Sequence, residues 1–319
     1  MSEQDPNAGL IDSNGSVIAY RYRTVSVTHL PELQETIGGL RRDGLLSDAP
    51  TFQEYIREMR FALADDFQEA QSIIIVAIAN PPLAVNLHYN GKIVSTHLPS
   101  GYFDPGVSFD ELRNEVEKNI IKEPGHRIER PGIPFHLKLL AVRSGLARYG
   151  RNNISYVEGM GSFIMLRCFV TDYKFTEDHW QELGMMARCE GCSLCQKLCP
   201  GGAIRSDRFV IDVSRCVTLY NEVEGDFPAW IPAGAHNAIL GCMKCQAACP
   251  GNREAIQHFI PVEDITTEET GEFISGAPGE KAIQSVSEKL RMPWLVGSQE
   301  VVDVICRNIK VLTLTGASD

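Results

Sequence analysis

The chain has 319 residues, 44% of them hydrophobic and 22% charged, with a formal net charge of −11. This length allows two domains or one large one, and the apolar fraction is ordinary for a globular protein. Because proteins that grip a long nucleic acid usually carry a basic face, the acidic balance argues against that class of partner. The sequence has no run of about 18 apolar residues, so it predicts no membrane-spanning segment.

The first 64 residues predict one or two strands and two helices. Apolar and polar residues alternate over about residues 14–29, which predicts one or two strands around Asn14-Gly15. A threonine and a proline begin a predicted helix over about residues 28–43. Thr51 can cap a second helix over about residues 52–64.

The clearest strand patterns follow. Ser72–Ala79 is almost continuously β-branched, which predicts a buried central strand. Asn90-Gly91 separates two alternating segments, residues 85–89 and 92–96, and this pattern is typical of a hairpin.

Two more helices and a second hairpin are predicted before residue 180. Ser108 and Glu111 can form a capping box for a helix that reaches about residue 121. Pro134 begins another helix, which should end near Gly145. Residues 154–157, a glycine-rich turn and a strand from residue 163 predict the second hairpin.

Eight of the ten cysteines lie between residues 189 and 249. The first run is C-x2-C-x2-C-x3-C-P from Cys189 to Pro200, and the second is C-x2-C-x3-C-P from Cys242 to Pro250, with a single Cys216 between them. This is the spacing of cubane iron–sulfur ligands. Since each cubane takes four thiolates and the count closes at eight, the sequence predicts two [4Fe–4S] clusters.

The spacing also predicts which cysteines share a cluster. In two-cluster ferredoxins the cysteine before the proline ligates the other cluster. We call the resulting sets cluster A and cluster B, and Cys216 supplies the ligand that the second run lacks. Cluster A would take Cys189, Cys192, Cys195 and Cys249, and cluster B would take Cys199, Cys216, Cys242 and Cys245.

Other uses of these cysteines explain the pattern less well. A structural zinc site would use the C-x2-C pairs but leaves the third cysteine of the first run and both Cys-Pro steps unexplained. A disulfide framework suits a short secreted chain, and Met1–Pro6 is polar and acidic, unlike a secretory or transit peptide. Because cluster thiolates need a reducing compartment, we expect a cytoplasmic protein. Cys168 and Cys306 lie outside the pattern and are predicted to be buried small hydrophobes.

After about residue 256 the chain becomes acidic and rich in glycine, which predicts a flexible connection. A last helix over about residues 282–291 and a last strand over about 301–314 are expected. We therefore predict an α+β protein with an α/β cofactor and substrate domain over residues 1–182 and a ferredoxin-like double-cluster domain over 183–256. Residues 257–319 would be an acidic linker and a C-terminal extension that packs back on the core.

Several segments resemble the epoxyqueuosine reductase-like double-cluster family and, more distantly, the corrinoid-dependent reductive dehalogenases. Residues 140–153 are similar to its "A-G-L-G-W-I-G-K-N-T" segment, and residues 161–172 are similar to "G-S-W-F-F-L-G-E-L-L-T-D". The strand of residues 64–82 and the whole cysteine block also match. The likeness covers about residues 60–255.

The resemblance implies a nitroreductase-like α/β domain that binds a cobalamin next to cluster A. Electrons from a donor such as ferredoxin or flavodoxin would pass through cluster B and cluster A to cobalt, which would reduce the substrate. Where the family has an aspartate that acts as proton donor, this chain has Pro131, and Arg148 and Arg151 replace its tryptophan and lysine. With the acidic charge, these departures suggest a paralogue that acts on a small molecule and make tRNA a doubtful substrate.

The resemblance also indicates residues for the reduction site. His136, Lys138 and Tyr149 are the candidate proton donors. Residues that could hold cofactor amides or phosphate are Arg148, Arg151, Asn152 and Asn153. The glycine-rich turn with Gly161 and Ser162 would let a macrocycle approach the backbone.

Two alternatives remain open. The chain could be an electron-transfer protein, or a reductive activator of a separate corrinoid protein, without its own substrate. A flavin could replace the corrinoid, although no G-x-G-x-x-G follows a strand.

Overall fold

The computed structural model describes residues 7–13, 15–59, 61–131 and 135–315. Its strands, in chain order, are β1 Ala8–Ser13, β2 Ser16–Ser26, β3 Ser72–Ala79, β4 Leu83–Tyr89, β5 Lys92–Leu98, β6 Ile128–Glu129, β7 Arg148–Tyr149, β8 Ser155–Tyr156, β9 Ile164–Thr171 and β10 Ile260–Pro261. Its α-helices are α1 Leu30–Arg42, α2 Pro50–Glu58, α3 Phe109–Glu115, α4 Leu137–Arg143, α5 Leu194–Lys197, α6 Val217–Glu222, α7 Lys244–Ala247, α8 Thr267–Ser275, α9 Glu280–Lys289 and α10 Gln299–Thr315.

The chain divides into two compact units. The first contains Met1–Ala79, Gly106–Cys192 and Arg208–Val210, and the second contains Asn80–Pro105, Ser193–Asp207 and Ile211–Asp319. The domain boundaries expected near residues 182 and 256 stay predictions. No α-helix in the described ranges combines the length and the apolar character needed to cross a membrane.

The first unit is built on a five-stranded sheet in the order β1-β2-β3-β9-β6. Each neighbouring pair is antiparallel, and β3 lies in the middle, between β2 and β9. Ile73–Ile78 are almost completely buried, because a β-branched strand with packed layers on both faces has no solvent side. The predicted central strand is therefore confirmed.

One packed layer lies on each face of this sheet. On one side, apolar residues of α1 and α4, such as Leu33 and Leu140, pack against Ile73 and Ile75. On the other side, α3 and the π-helical turn Val116–Ile121 contribute residues that pack against Ile74. The predicted capping box of Ser108 and Glu111 is present at the start of α3.

The second unit contains the hairpin β4–β5, which is extended by β10 into a three-stranded sheet. Helices α8, α9 and α10 supply most of its other core residues. The hairpin expected around Asn90-Gly91 is confirmed, with Tyr89 paired with Lys92. Both turn residues have positive φ, as this tight turn requires.

The C-terminal predictions were partly wrong. The segment expected to form a strand over 301–314 is the long helix α10, because its buried residues Val302, Ile305, Ile309 and Leu312 recur at helical spacing. The acidic stretch expected to be a flexible connection contains α8, whose N-terminus has a capping box formed by Thr266 and Glu269. Favourable caps and a buried face outweigh the repulsion of its acidic residues.

Three smaller expectations also need correction. The segment 154–157 does not form a hairpin with β9: its strand β8 pairs with β7 instead, because β9 pairs with β3 and β6. The second helix ends at Glu58, short of the expected residue 64. Helix α4 begins at Leu137, and the expected start at Pro134 lies outside the described residues, as does Asn14.

Candidate iron–sulfur centres

Three of the four residues predicted for cluster B approach one another in the second unit. Burial raises the pKa of the Cys216 thiol, and the nearby thiols of Cys242 and Cys199 raise it further. Burial likewise raises the pKa of Cys242, which also feels the charge of Cys199. Without a metal, the neighbouring thiols make one another's thiolate form less stable. A bound metal would keep all of them deprotonated.

Residues that follow two of these cysteines donate hydrogen bonds to their sulfur atoms. The N–H of Ala203 donates to Cys199 Sγ at 3.3 Å. The N–H and hydroxyl of Thr218 donate to the Cys216 thiolate and lower its pKa, against the larger effect of burial. Donors to sulfur stabilise thiolate ligands and influence the potential of a cluster.

Cys242 receives a bond from a side chain as well. Asn237 Nδ2 lies 3.2 Å from Cys242 Sγ and also donates to the carbonyl of Ala235 at 2.8 Å. The Oδ1 atom of Asn237 accepts the N–H of Met243 at 2.8 Å. Both ends of this amide are therefore used, and the side chain is held in place at the thiol.

The two cysteine runs adopt matching local structures. Cys195 lies in the four-residue helix α5 and Cys245 in the four-residue helix α7, and these helices contact each other. After each helix the last cysteine accepts a backbone N–H: Cys249 Sγ accepts that of Gly251 at 3.4 Å, as Cys199 accepts that of Ala203. The matching structures fit paired ligand turns of a two-cluster segment.

A close backbone approach connects the segments that carry Cys199 and Cys216. Gly201 is buried, and a methyl group on it would overlap the carbonyl oxygen of Arg215 and lie 2.8 Å from the Trp230 ring. Arg215 Nε donates to the Gly201 carbonyl at 3.0 Å, and its guanidinium stacks 4.1 Å from the centre of the Trp230 ring. Only glycine allows this contact at residue 201.

The described cysteine side chains do not form a compact group of metal ligands. Across residues 7–315, apart from the gaps given above, no three or more His, Cys, Asp or Glu side chains are grouped so that they could hold a metal ion. A tetrahedral zinc site needs four donors at bonding distance from one ion. A cubane cage, in contrast, separates its thiolates by its own width.

The four cysteines predicted for cluster A divide between the two units. Cys189 and Cys192 belong to the first unit, and Cys195 and Cys249 belong to the second. The N–H of Cys189 donates to the carbonyl of Met186 at 2.9 Å, so the approach to this cysteine is an ordered turn. The ligation of cluster A stays a prediction from spacing.

Strand β7 of the first unit connects the candidate reduction site with the first cluster cysteine. The N–H of Tyr149 donates to the carbonyl of Gly184 at 3.0 Å, and the N–H of Met186 donates to the carbonyl of Tyr149 at 2.9 Å. Two residues further along, Arg151 Nη2 donates to the carbonyl of Cys189 at 2.8 Å. The candidate segment therefore lies directly against the chain that leads to Cys189.

The candidate proton donors differ in environment. Tyr149 is 5% exposed and meets the Phe209 ring edge-on at 5.0 Å, and burial raises its pKa far above the ordinary range. His136 caps α4, where its Nδ1 accepts the N–H of Leu139 at 3.1 Å. Burial and the nearby charge of Lys138 lower the pKa of His136 to about 4. At neutral pH His136 is therefore uncharged and carries its proton on Nε2, while Tyr149 keeps its phenolic proton.

The candidate cofactor residues around β7 mostly build a tight turn. The buried Asn152 donates to the hydroxyl of Tyr156 at 2.9 Å and accepts the N–H of Ile154 at 3.4 Å. Asn153 adopts a left-handed conformation with φ of 60°. Arg148 is exposed, whereas Arg151 is half-buried, and its Nε is buried without a hydrogen-bond partner among the described residues.

The glycine-rich turn is also compact. Val157 and Gly161 exchange backbone hydrogen bonds of 2.9 Å, and Gly161 has φ of 66°. Gly161 and Ser162 are both buried. A glycine is needed at residue 161 because a side chain in this conformation would be strained.

A small open cavity of about 130 Å³ lies in the first unit. Pro131 lines it, together with Arg127, Glu129, Phe67 and Asp66. Arg127 is paired with the Asp66, Glu69 and Glu129 carboxylates, so its charge is already used within the protein. The cavity is smaller than a typical ligand pocket of about 300–1,000 Å³.

Comparison with known proteins identifies the cysteine region. A family model described as a 4Fe-4S double cluster binding domain matches residues 188–252. The epoxyqueuosine reductase of Lactococcus garvieae is 27% identical over 205 residues, which are 61% of this chain and 55% of that protein. The Escherichia coli epoxyqueuosine reductase is 33% identical over 168 residues, 49% of this chain and 41% of that protein. The chain thus spans about half the length of the curated relatives it matches.

Solved structures extend the likeness to the whole fold. The epoxyqueuosine reductase of Streptococcus thermophilus superposes with a TM-score of 0.60 at 18% identity, covering 92% of this chain and 77% of that one. The Bacillus subtilis enzyme, in a form with its catalytic loop swung out of the active site, gives 0.59 at 17% identity, covering 92% and 76%. At this identity the likeness shows the fold alone.

The predicted α+β fold with a two-cluster segment is confirmed by these comparisons, as is the resemblance inferred from the motifs. The double-cluster match also supports two [4Fe–4S] clusters. The chain is similar to the epoxyqueuosine reductases in its fold and in the sequence of its iron–sulfur segment.

Proposed function

We propose that this chain is an iron–sulfur oxidoreductase that takes single electrons from a separate donor, such as ferredoxin or flavodoxin, and uses them to reduce a small molecule at a site in the first unit. The observation that carries the proposal is the bond from Arg151 to the carbonyl of Cys189. It joins the candidate reduction segment to the first cluster cysteine. Cytoplasmic location follows from the need to keep the cluster thiolates reduced.

The ligand sets are part of this proposal. Cys189, Cys192, Cys195 and Cys249 would hold cluster A, and Cys199, Cys216, Cys242 and Cys245 would hold cluster B. For cluster B the support is the mutual approach of three of its thiols and the donors that surround them. For cluster A the support is the spacing rule of two-cluster ferredoxins.

A cobalamin is the proposed cofactor of the reduction site. When bound, it would supply a low-valent metal centre that can reduce a polar bond of the substrate. The unpartnered Nε of Arg151 suits a cofactor amide or phosphate oxygen. Arg148, Asn153 and the backbone at Gly161 and Ser162 would complete the contacts, while Asn152 would shape the turn that presents them.

Tyr149 is the preferred proton donor among the three candidates. Its hydroxyl carries a proton at neutral pH because burial raises its pKa, and it would give up that proton only to a strong base that forms as the substrate is reduced. His136 uses Nδ1 as a helix cap and is uncharged at neutral pH, so it is less suited to deliver a proton. Lys138 lies two residues from His136 on α4 and would act only if its side chain faces the site.

The substrate class rests on charge and on the lost aspartate. One structural neighbour is an epoxyqueuosine reductase with an epoxyqueuosine-modified tRNA stem loop, with a TM-score of 0.60 at 16% identity. This chain has a net charge of −11 and Pro131 at the position of the family's aspartate. We therefore favour a small molecule and treat a modified tRNA base as the competing substrate.

A second function is favoured by the size of the cavity at Pro131. At about 130 Å³ it would hold only a very small molecule. An electron-transfer protein, or a reductive activator of a separate corrinoid protein, needs no substrate pocket of its own. A flavin in the first unit is a further, weaker alternative to the corrinoid.

The test begins with protein purified and reconstituted without oxygen. Iron and acid-labile sulfide are measured, cob(II)alamin is added, and the cobalt EPR spectrum is recorded. About eight iron atoms per chain and a cobalt signal altered by the protein would support the proposal. The same test on Arg151→Ala should retain the iron and restore the free cobalt signal. Eight iron atoms with an unaltered cobalt signal would remove cobalamin and favour the electron-transfer alternative.

A further inference from the structure

The C-terminal helix α10 bonds directly to the loop that joins two cluster B cysteines. We call residues 217–241, which connect Cys216 with Cys242, the cluster B loop. The helix begins at Gln299, 47 residues after the end of the segment matched by the double-cluster family model at residue 252. Two adjacent residues of α10, Arg307 and Asn308, donate hydrogen bonds to backbone carbonyls of this loop.

Arg307 holds the beginning of the cluster B loop. Its Nη2 donates to the carbonyl of Tyr220 at 2.8 Å, and its Nη1 donates to that of Val223 at 2.9 Å and also to that of Gly225. The guanidinium lies 4.1 Å from the centre of the Phe227 ring. Since a guanidinium presents its donors in a rigid fork, these contacts fix the loop in one orientation.

Asn308 connects the beginning of the loop to its end. The side chain is 1% exposed, and its Nδ2 donates to the carbonyls of Asn221 and Ile239, each at 2.8 Å. The fully buried Asn221 in turn donates to the carbonyls of Ala238 and Gly241, at 3.2 and 2.9 Å. The last of these residues directly precedes Cys242.

This arrangement bears on the cysteines because the loop has little regular structure of its own. Within it, the only α-helix in the described residues is α6, which ends at Glu222. A cluster needs its thiolates at set separations, and groups beyond the ligands usually fix these separations. The buried amides of Asn308 and Asn221 supply such support, since buried donors that lose their partners are costly.

We propose that α10 is part of the cluster B site, and that Arg307 and Asn308 are positioning residues that set the separation of Cys216 and Cys242. This inference rests on the proposed ligation of cluster B. It predicts that α10, which lies outside the cysteine segment, is needed for the assembly of cluster B. Substitutions in α10 should leave cluster A in place.

The test compares Asn308→Leu and Arg307→Met with Lys310→Ala in the full-length protein, after anaerobic reconstitution. Leucine has about the branched shape of asparagine but no hydrogen-bond donors. Methionine replaces the aliphatic part of arginine but lacks the guanidinium and its donors. Lys310 is an exposed residue of the same helix and serves as the control. Iron and sulfide content, the EPR spectrum of the reduced protein and far-UV circular dichroism are measured.

Each positioning variant should lose about half of its iron and sulfide while it keeps wild-type helix content. The EPR spectrum should change from that of two interacting clusters to that of one isolated cluster. Arg307→Lys, which keeps the charge but not the fork, should lose less. Lys310→Ala should match the wild type.

Two results would overturn the inference while leaving the proposed function in place. One is wild-type iron content and an unchanged EPR spectrum in both positioning variants. The other is equal loss of both clusters together with loss of helix content, which would indicate general unfolding. If the wild-type protein itself takes up fewer than about eight iron atoms, the proposed function fails as well.

Discussion

The cysteine loops of the second unit and the candidate cofactor segment of the first unit use polar side chains in different ways. In the second unit, residues without redox chemistry support the thiols: Asn237 bonds to Cys242 Sγ, and Asn308 holds the chain beside it. In the first unit, Asn152 bonds within its own turn and His136 caps its own helix. The difference teaches that the spacing of the cysteines predicts the ligands, whereas residues far away in sequence hold the chain around the thiols in place. The candidate cofactor segment, in contrast, is held by hydrogen bonds between residues close together in sequence.

The largest expected effect comes from removing a cluster B ligand. Cys216→Ala should abolish cluster B and lower the iron and sulfide content by about half, because a cubane needs four thiolates. Cys168→Ala is the matched control, since Cys168 lies outside the cluster pattern and belongs to the first unit. Iron analysis and EPR of the reconstituted proteins measure the outcome. Full iron content in Cys216→Ala would show that Cys216 is not a ligand.

A smaller effect is expected where two ligand segments touch. Gly201→Ala would force the added methyl group against the Arg215 carbonyl, and such overpacking costs about 1–3 kcal/mol. We expect a lower midpoint of urea unfolding and incomplete cluster loading. Gly234→Ala is the control because a methyl group there meets no atom within 4 Å and its φ is not positive. Equal stability of the two variants would contradict the close contact.

Asn237→Leu should change the potential of cluster B without removing it. The variant loses the hydrogen bond to Cys242 Sγ, and because such bonds stabilise the added negative charge of the reduced cluster, its potential should become more negative. An EPR-monitored redox titration measures this shift, with cluster A as internal control. An unchanged cluster B potential would mean that the amide does not tune the cluster.

The smallest expected effect concerns pH. The folded-state pKa of His136 is about 4, below its ordinary value of about 6.5, so between these values the unfolded chain binds a proton that the folded chain does not. The free energy of unfolding is therefore unaffected by the titration of His136 above about pH 6.5, and protonation of His136 in the unfolded chain lowers it as the pH drops towards 4. His136→Asn keeps a capping oxygen but should lose less stability between about pH 7 and pH 5.5 in urea unfolding. Identical slopes for the two proteins would contradict the buried neutral imidazole.

Features that depend on neighbouring residues were predicted well. The turn at Asn90-Gly91 and the capping box of Ser108 and Glu111 depend on contacts within a few residues. The central strand Ser72–Ala79 was recognised from its own β-branched composition. Errors arose where β-branched content and periodicity disagreed. Residues 301–314, predicted as a strand, contain several valines and isoleucines, which are typical of strands. The burial of every third or fourth residue in the second core makes them a helix.

The supporting residues of cluster B could not be found in the same way. Gly201 has a visible pattern, since it follows a Cys-Pro step, but the atom it meets belongs to Arg215. Asn237, Arg307 and Asn308 stand in no motif. Their roles depend on which carbonyl or sulfur lies within reach of a buried amide or guanidinium, and this is a property of the packed chain.

The sequence by itself determined the chemistry of the cysteines, because the assembly of a cubane depends on the number and spacing of thiols along the chain. It also determined the central strand and the hairpin, whose residues prefer these conformations locally. Only the tertiary structure decided that α10 reaches the loop between Cys216 and Cys242. Arg307 and the carbonyl of Tyr220 are 87 residues apart, and such a contact forms only when the apolar face of the helix has been buried in the second core.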